Sequence, residues 1–139
     1  EVKAKYEIEK QPEVIKNSSV YFAKITNEKY KRINASLQEE DVNVFDSNER
    51  SKKLDQLSRG TKEQLLISLR LGFIEEYEKT AEPLPLIVDE ILVNFDPARA
   101  KQTAKILHHF AENRQVLIFT CHPITKDYFE NLQVNIIEV

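Results

Sequence analysis

Apolar positions recur along the chain at helical spacing, in alternation and in short unbroken runs, and each pattern predicts a different element. Val14, Ile15, Val20, Phe22, Ala23 and Ile25 predict a short helix starting at Pro12, because a proline in the first helical turn loses no needed N–H bond. Strand-like alternation follows in Tyr30 to Leu37 and Asp41 to Phe45, and the Gln38-Glu39-Glu40 link between them predicts an antiparallel hairpin. From Ser58 the pattern becomes helical again: Leu66, Leu69, Phe73 and Tyr77, widened by Leu65 and Ile74, predict one buried stripe on a helix reaching about Lys79. Leu84 to Val88 is short and almost continuously apolar, as a strand buried on both faces reads, and it ends on Asp89-Glu90. Asp96-Pro97 combines an N-cap with a first-turn proline and opens a helix through Ala100, Ala104, Leu107 and Ala111. A second buried strand, Val116 to Phe119, leads through Thr120-Cys121-His122-Pro123 to a short helix around Lys126 to Leu132 and a last strand, Val134 to Val139. Such alternation predicts an α/β fold: a largely parallel sheet flanked by helices, preceded by an N-terminal helix and an antiparallel hairpin.

Composition narrows the class. At 139 residues, 41% hydrophobic and 31% charged, the chain has the make-up of an ordinary globular domain rather than a disordered or membrane protein. No apolar run approaches the roughly 20 residues that span a bilayer, and Glu1 to Lys5 lack a secretory h-region. Cys121, the single cysteine, cannot form an internal disulfide, so a reducing, cytoplasmic setting is expected. A net charge of −3 gives the chain no general footprint for nucleic acid, so any DNA contact is expected to be indirect. The absence of Met, even at position 1, is expected of a piece of a longer protein.

Ligands of parallel sheets sit at the carboxyl ends of strands. Asp89 and Glu90 fall at one such end and His122 just beyond another. A carboxylate there can hold Mg²⁺, and a second beside it can orient an attacking water; the blander reading is a polar loop entry. Ser58-Arg59-Gly60-Thr61 opens the long helix, where backbone N–H groups can receive phosphate. Thr61 with Gln64 three residues on equally resembles a capping box. Cys121 beside His122 is a poor nucleophile pair, because sequence neighbours seldom face one another. His108 and His109 lack a partner at metal-ligand spacing, so a solvated helix face is the better reading.

In order and spacing these pieces resemble the C-terminal motifs of ABC-type ATPases. The signature would be Leu57-Ser58-Arg59-Gly60-Thr61, the Walker B strand Leu86-Ile87-Val88-Asp89-Glu90, the D-loop Asn94-Phe95-Asp96, and the switch histidine His122. The chain is similar to the YhaN-like ATPases, relatives of SMC and double-strand-break repair proteins. Leu57 to Leu71, Leu84 to Ala100 and Gln115 to His122 carry that likeness, with a fainter echo from Pro12 to Tyr30. The resemblance implies that residues 1–139 form the C-terminal lobe of a P-loop NTPase head, with Glu1 to Lys10 the stump of a coiled coil. Two heads would share ATP and Mg²⁺. Ser58, Arg59, Gly60, Thr61 and Gln64 would serve the nucleotide of the opposite head, Ser58 and Gly60 at its γ-phosphate and Gln64 supporting the helix. Asp89 would help hold Mg²⁺, Glu90 would polarise the hydrolytic water, His122 would contact the γ-phosphate, and Asn94 and Asp96 would cross the dimer seam.

The pattern departs from that family in two places. Phe95 stands where many such proteins have leucine, and no Gly-x-x-x-x-Gly-Lys-Ser/Thr is present, the only glycines being Gly60 and Gly72. The resemblance places the Walker A and Q-loop in an N-terminal lobe across a long coiled coil, so the chain is expected to be inactive alone. Expected partners are that lobe, a second head, DNA indirectly and a phosphoesterase-type nuclease, with no membrane. ATP hydrolysis in DNA repair or processing is the leading expectation. An ATP-gated dimerisation clamp with little hydrolysis is the alternative, and a receiver-like phosphate-responsive domain a third that leaves the signature segment and His122 unexplained.

Overall fold

A computed structural model describes residues 12–35 and 42–138, and the chain divides at Ala81/Glu82 into two compact units. The proposed coil stump, Glu1 to Lys10, and the Gln38-Glu39-Glu40 link lie outside the described residues. Among the described residues no helix is long and apolar enough to cross a membrane.

The first unit begins with helix α1 (Glu13–Ile25), capped by the backbone of Pro12, which sits just before the helix rather than inside it. Thr26 ends it by donating its hydroxyl to the Phe22 carbonyl at 2.7 Å, and Asn27 and Glu28 then adopt positive φ angles that turn the chain into a strand. Strands β1 (Tyr30–Ala35) and β2 (Val42–Asp46) pair antiparallel, as the alternation predicts. A third strand, β3 (Ser51–Lys53), adds to β2. Its Ser-Lys-Lys sequence carries no apolar signal. It is brought back by a turn in which Asp46 Oδ1 accepts the N–H groups of Asn48 (2.9 Å) and Arg50 (3.0 Å). Ser19 ties helix to sheet, accepting the Ile33 N–H at 2.9 Å while donating to Ile15.

Helix α2 (Arg59–Tyr77) completes this unit. Its buried face corrects the stripe expected from sequence: Thr61, Gln64, Leu65, Ser68, Leu71 and Gly72 are buried, whereas Leu66, Phe73 and Tyr77 are exposed. The physical reason is close approach. A Cβ on Gly72 would stand 2.2 Å from Ser18 Oγ, 2.6 Å from Ser18 N and 2.9 Å from the Val14 carbonyl oxygen, so a small residue is required where α2 comes closest to α1, while Leu65 joins Phe22 in the core. Phe22, Tyr30, Ile33, Val44, Leu57 and Leu65 form the core, with Phe22 and Tyr30 stacked at 5.2 Å.

The second unit holds β4 (Leu86–Asp89), α3 (Pro97–Phe110), β5 (Val116–Phe119) and α4 (Pro123–Asp127). β4 and β5 pair parallel, Leu86 opposite Val116 and Asp89 opposite Phe119. These are the only parallel strands among the described residues, so a largely parallel sheet is corrected to an α/β chain with one three-stranded antiparallel and one two-stranded parallel sheet. Burial on both faces is corrected too. Leu86, Val88, Val116 and Ile118 are half-buried, while Ile87, Leu117 and Phe119 on the other face are exposed. The final helix starts at Pro123, ahead of its expected position, and residues 134–138 form no strand. Helix α3 matches expectation: Asp96 caps it, accepting the Arg99 N–H at 3.1 Å, and Pro97 follows in its first turn.

Candidate functional site

The parallel register builds the site. Because Asp89 lies opposite Phe119, the residues leaving the two strands are Glu90 and Thr120, and the Glu90 N–H extends the ladder to the Phe119 carbonyl at 3.0 Å. Glu90 then takes a left-handed backbone conformation, φ 49°. A non-glycine residue rarely adopts this, and such strain gathers at functional sites. The conformation directs its carboxylate to the exit of β5: Oε1 accepts the Cys121 N–H at 2.6 Å, and Oε2 accepts the Thr120 hydroxyl at 3.0 Å. Thr120 Oγ1 in turn accepts the His122 N–H at 3.1 Å. The His122 ring is drawn in as well, with Nε2 3.7 Å from Glu90 Oε2.

Hydrogen bonds to the ionised form set the electrostatics. The Cys121 backbone N–H, followed by the Cys121 thiol, holds the Glu90 carboxyl below its ordinary range, with smaller help from Thr120 and His122. The same contact with Glu90 pushes the Cys121 thiol up, which makes it a poor nucleophile. Asp89, one residue before, is exposed at the end of β4 and available to an incoming cation. One donor atom each from Glu90, Cys121 and His122 lies within 4.8 Å of the others.

In the first unit the signature segment is a helix start. Ser58 is the N-cap: its Oγ accepts the Thr61 N–H at 3.3 Å and pairs with Thr61 Oγ1 at 2.9 Å, replacing the expected Thr61–Gln64 box. Ser58 and Arg59 are exposed and Gly60 half-buried, whereas Thr61 and Gln64 are buried. Asn94 is exposed; Asp96 is exposed too and already caps α3, pairing with Arg99 Nε at 3.2 Å. Phe95 is buried, an apolar anchor at the position where it departs from the family pattern.

Within the second unit, then, the structure brings Glu90 and His122 together, with Asp89 adjacent. Sequence reasoning missed Thr120, which touches both. Its signal was a hydroxyl one residue past the end of a strand parallel to the acid-bearing strand, visible only once the register is known.

Comparison with known proteins extends this picture. A family model described as "Protein of unknown function (DUF2624)" matches residues 2–71, half of the chain. The uncharacterized protein YhaN of Bacillus subtilis (strain 168) is 29% identical over 124 residues, covering 88% of this chain but 13% of YhaN itself. Among solved structures, an SMC ATPase described by ATP-driven dimerization and DNA-stimulated activation matches with TM-score 0.67 at 16% identity, covering 84% of this chain and 71% of that one. The Pyrococcus furiosus Smc head with an extended coiled coil, bound to the C-terminal domain of ScpA, gives 0.64 at 18% identity, covering 84% and 30%. The chain is YhaN-like and carries the fold of part of an SMC head.

Proposed function

For a chain that belongs to the DUF2624 family, whose description assigns no chemistry, we propose the role of a C-terminal half-site in an SMC-like ATPase. The observation that carries the proposal is Glu90, held at φ 49° beyond β4 with its carboxylate 3.7 Å from the His122 imidazole. Two side chains from two parallel strands converge where the fold's ligands are expected. When bound, ATP supplies a phosphoryl group whose charge Mg²⁺ partly neutralises.

The residues present fit that group. Asp89 is exposed and can hold Mg²⁺. Glu90 keeps lone pairs beyond those used by Cys121 and Thr120, enough to orient a water. Its lowered pKa keeps it ionised, so it positions and polarises rather than storing a proton. His122 can donate to a phosphate oxygen. On the opposite head, Ser58, Arg59 and Gly60 open a 19-residue helix whose free N–H groups suit the γ-phosphate, while Thr61 and Gln64 hold that helix start from within. Asn94 and Asp96 lie in the turn assigned to the dimer seam. The Walker A lobe, a second head, DNA and a phosphoesterase-type nuclease are the partners this reading includes, in the cytoplasm, with DNA repair or processing as the setting.

Glu90→Gln in the full protein should lower steady-state ATP turnover by at least about 100-fold while an ATP-bound dimer accumulates on gel filtration. Unchanged turnover would remove Glu90 from its role. A second reading, an ATP-gated clamp with little hydrolysis, draws on both Glu90 oxygens being engaged internally. Single-turnover kinetics separate the two, since a clamp binds ATP and releases it intact.

A further inference from the structure

Donor chemistry at the exit of β5 is wrong for Mg²⁺ alone. A carboxylate, a thiol and an imidazole lie together, and a hard cation such as Mg²⁺ selects oxygen, not sulfur. We propose that Glu90, Cys121 and His122 bind one soft divalent transition-metal ion of the zinc class, and that its binding withdraws Glu90 and His122 from nucleotide turnover. The first half stands on geometry alone, and the second rests on the ATPase reading.

The three donor atoms already lie within 4.8 Å of one another. Tetrahedral zinc, with bonds of about 2.0–2.3 Å, sets its ligand atoms roughly 3.3–3.6 Å apart. Glu90 Oε2 and His122 Nε2 stand at 3.7 Å, so that pair closes on a metal by a few tenths of an ångström, and no pair of the three has to close by more than about 1.5 Å. Supporting groups are in place: the Cys121 N–H and Thr120 hydroxyl orient the carboxylate, and Thr120 also accepts the N–H of His122. Such outer bonds fix ligand orientation before the metal arrives. Exposure of Cys121 and His122 leaves the route open and a fourth position for water or an external donor. On binding, the thiol proton passes to solvent and the thiolate takes its place as ligand.

Co²⁺ added to the full protein is the probe. A thiolate-to-cobalt charge-transfer band should appear with one equivalent, disappear when Zn²⁺ is added, and be missing from Cys121→Ser, which retains the backbone N–H to Glu90. His122→Ala should keep the band but weaken Co²⁺ binding by about 10-fold or more. No band, or the same spectrum in Cys121→Ser with its circular dichroism unchanged, would overturn the site. Zn²⁺ added beside Mg²⁺ should then slow ATP turnover of the wild type relative to its own rate in Mg²⁺ without zinc, and leave that ratio near one in Cys121→Ser. Saturation by Zn²⁺ without slowing overturns the second half. A Cys121-dependent band in a protein with no turnover at all leaves the metal site standing and removes the ATPase reading instead.

Discussion

Two phenylalanines measure the difference between the units. Phe22, in the first unit, is fully buried and stacks on Tyr30, whereas Phe119, in the second, is 57% exposed beside Ile87 and Leu117 on the open face of a two-stranded sheet. The first unit closes a core of its own from two helices and three strands. The second builds one covered sheet face and leaves the other apolar and open, an arrangement that parallel sheets, usually covered on both sides, complete with a further layer. The carboxylate and imidazole of the candidate site belong to the unit whose layering is incomplete.

The largest expected effect breaks the closed core: Phe22→Ala should cost about 3–5 kcal/mol in urea denaturation, and a loss under about 1 kcal/mol would mean that this core does not hold the first unit together. Gly72→Ala comes next. Two of the atoms its Cβ meets belong to the α1 backbone, so the helices must part, at about 1–3 kcal/mol; a stabilised variant would show that the crossing yields freely.

A smaller effect concerns the second unit and acid. Because the Cys121 N–H and thiol hold the Glu90 pKa below its unfolded value, the stability it contributes is fully present above the unfolded value and fades as pH falls through the folded one. The gap in Tm between wild type and Glu90→Gln should therefore narrow on acidification below about pH 4, and a gap that widens would contradict the hold of Cys121 on Glu90. Smallest of all, Phe119→Ser should change the stability of this chain by no more than about 0.5 kcal/mol. A loss like that of Phe22→Ala would mean that the open face is not open.

How far the sequence could be read follows the range of the interaction. Asp96-Pro97 announced the start of α3 because capping is local, and Val116 to Phe119 announced β5 because the run is short and apolar. Contacts between distant segments hid the rest. Helix α2 buries Thr61, Gln64, Ser68 and Gly72 against a near neighbour, so a rule that weighs hydrophobicity selects the exposed stripe of Leu66, Phe73 and Tyr77 instead. β3 has no apolar residue and exists because a turn at Asp46 returns it to β2. At the candidate site, Glu90 and His122 were visible as residue types at strand ends, but Thr120 emerged only from the pairing of β4 with β5.

Thr120 has one hydrogen to give, and it gives it to Glu90 while its oxygen receives the main chain of His122. Should the carboxylate swing away, that hydrogen passes to water, since Thr120 is exposed, or to whichever oxygen displaces the water. Departure of the glutamate and arrival of a new acceptor are therefore one exchange, with the hydroxyl turning about its own C–O bond as the pivot between the two strands.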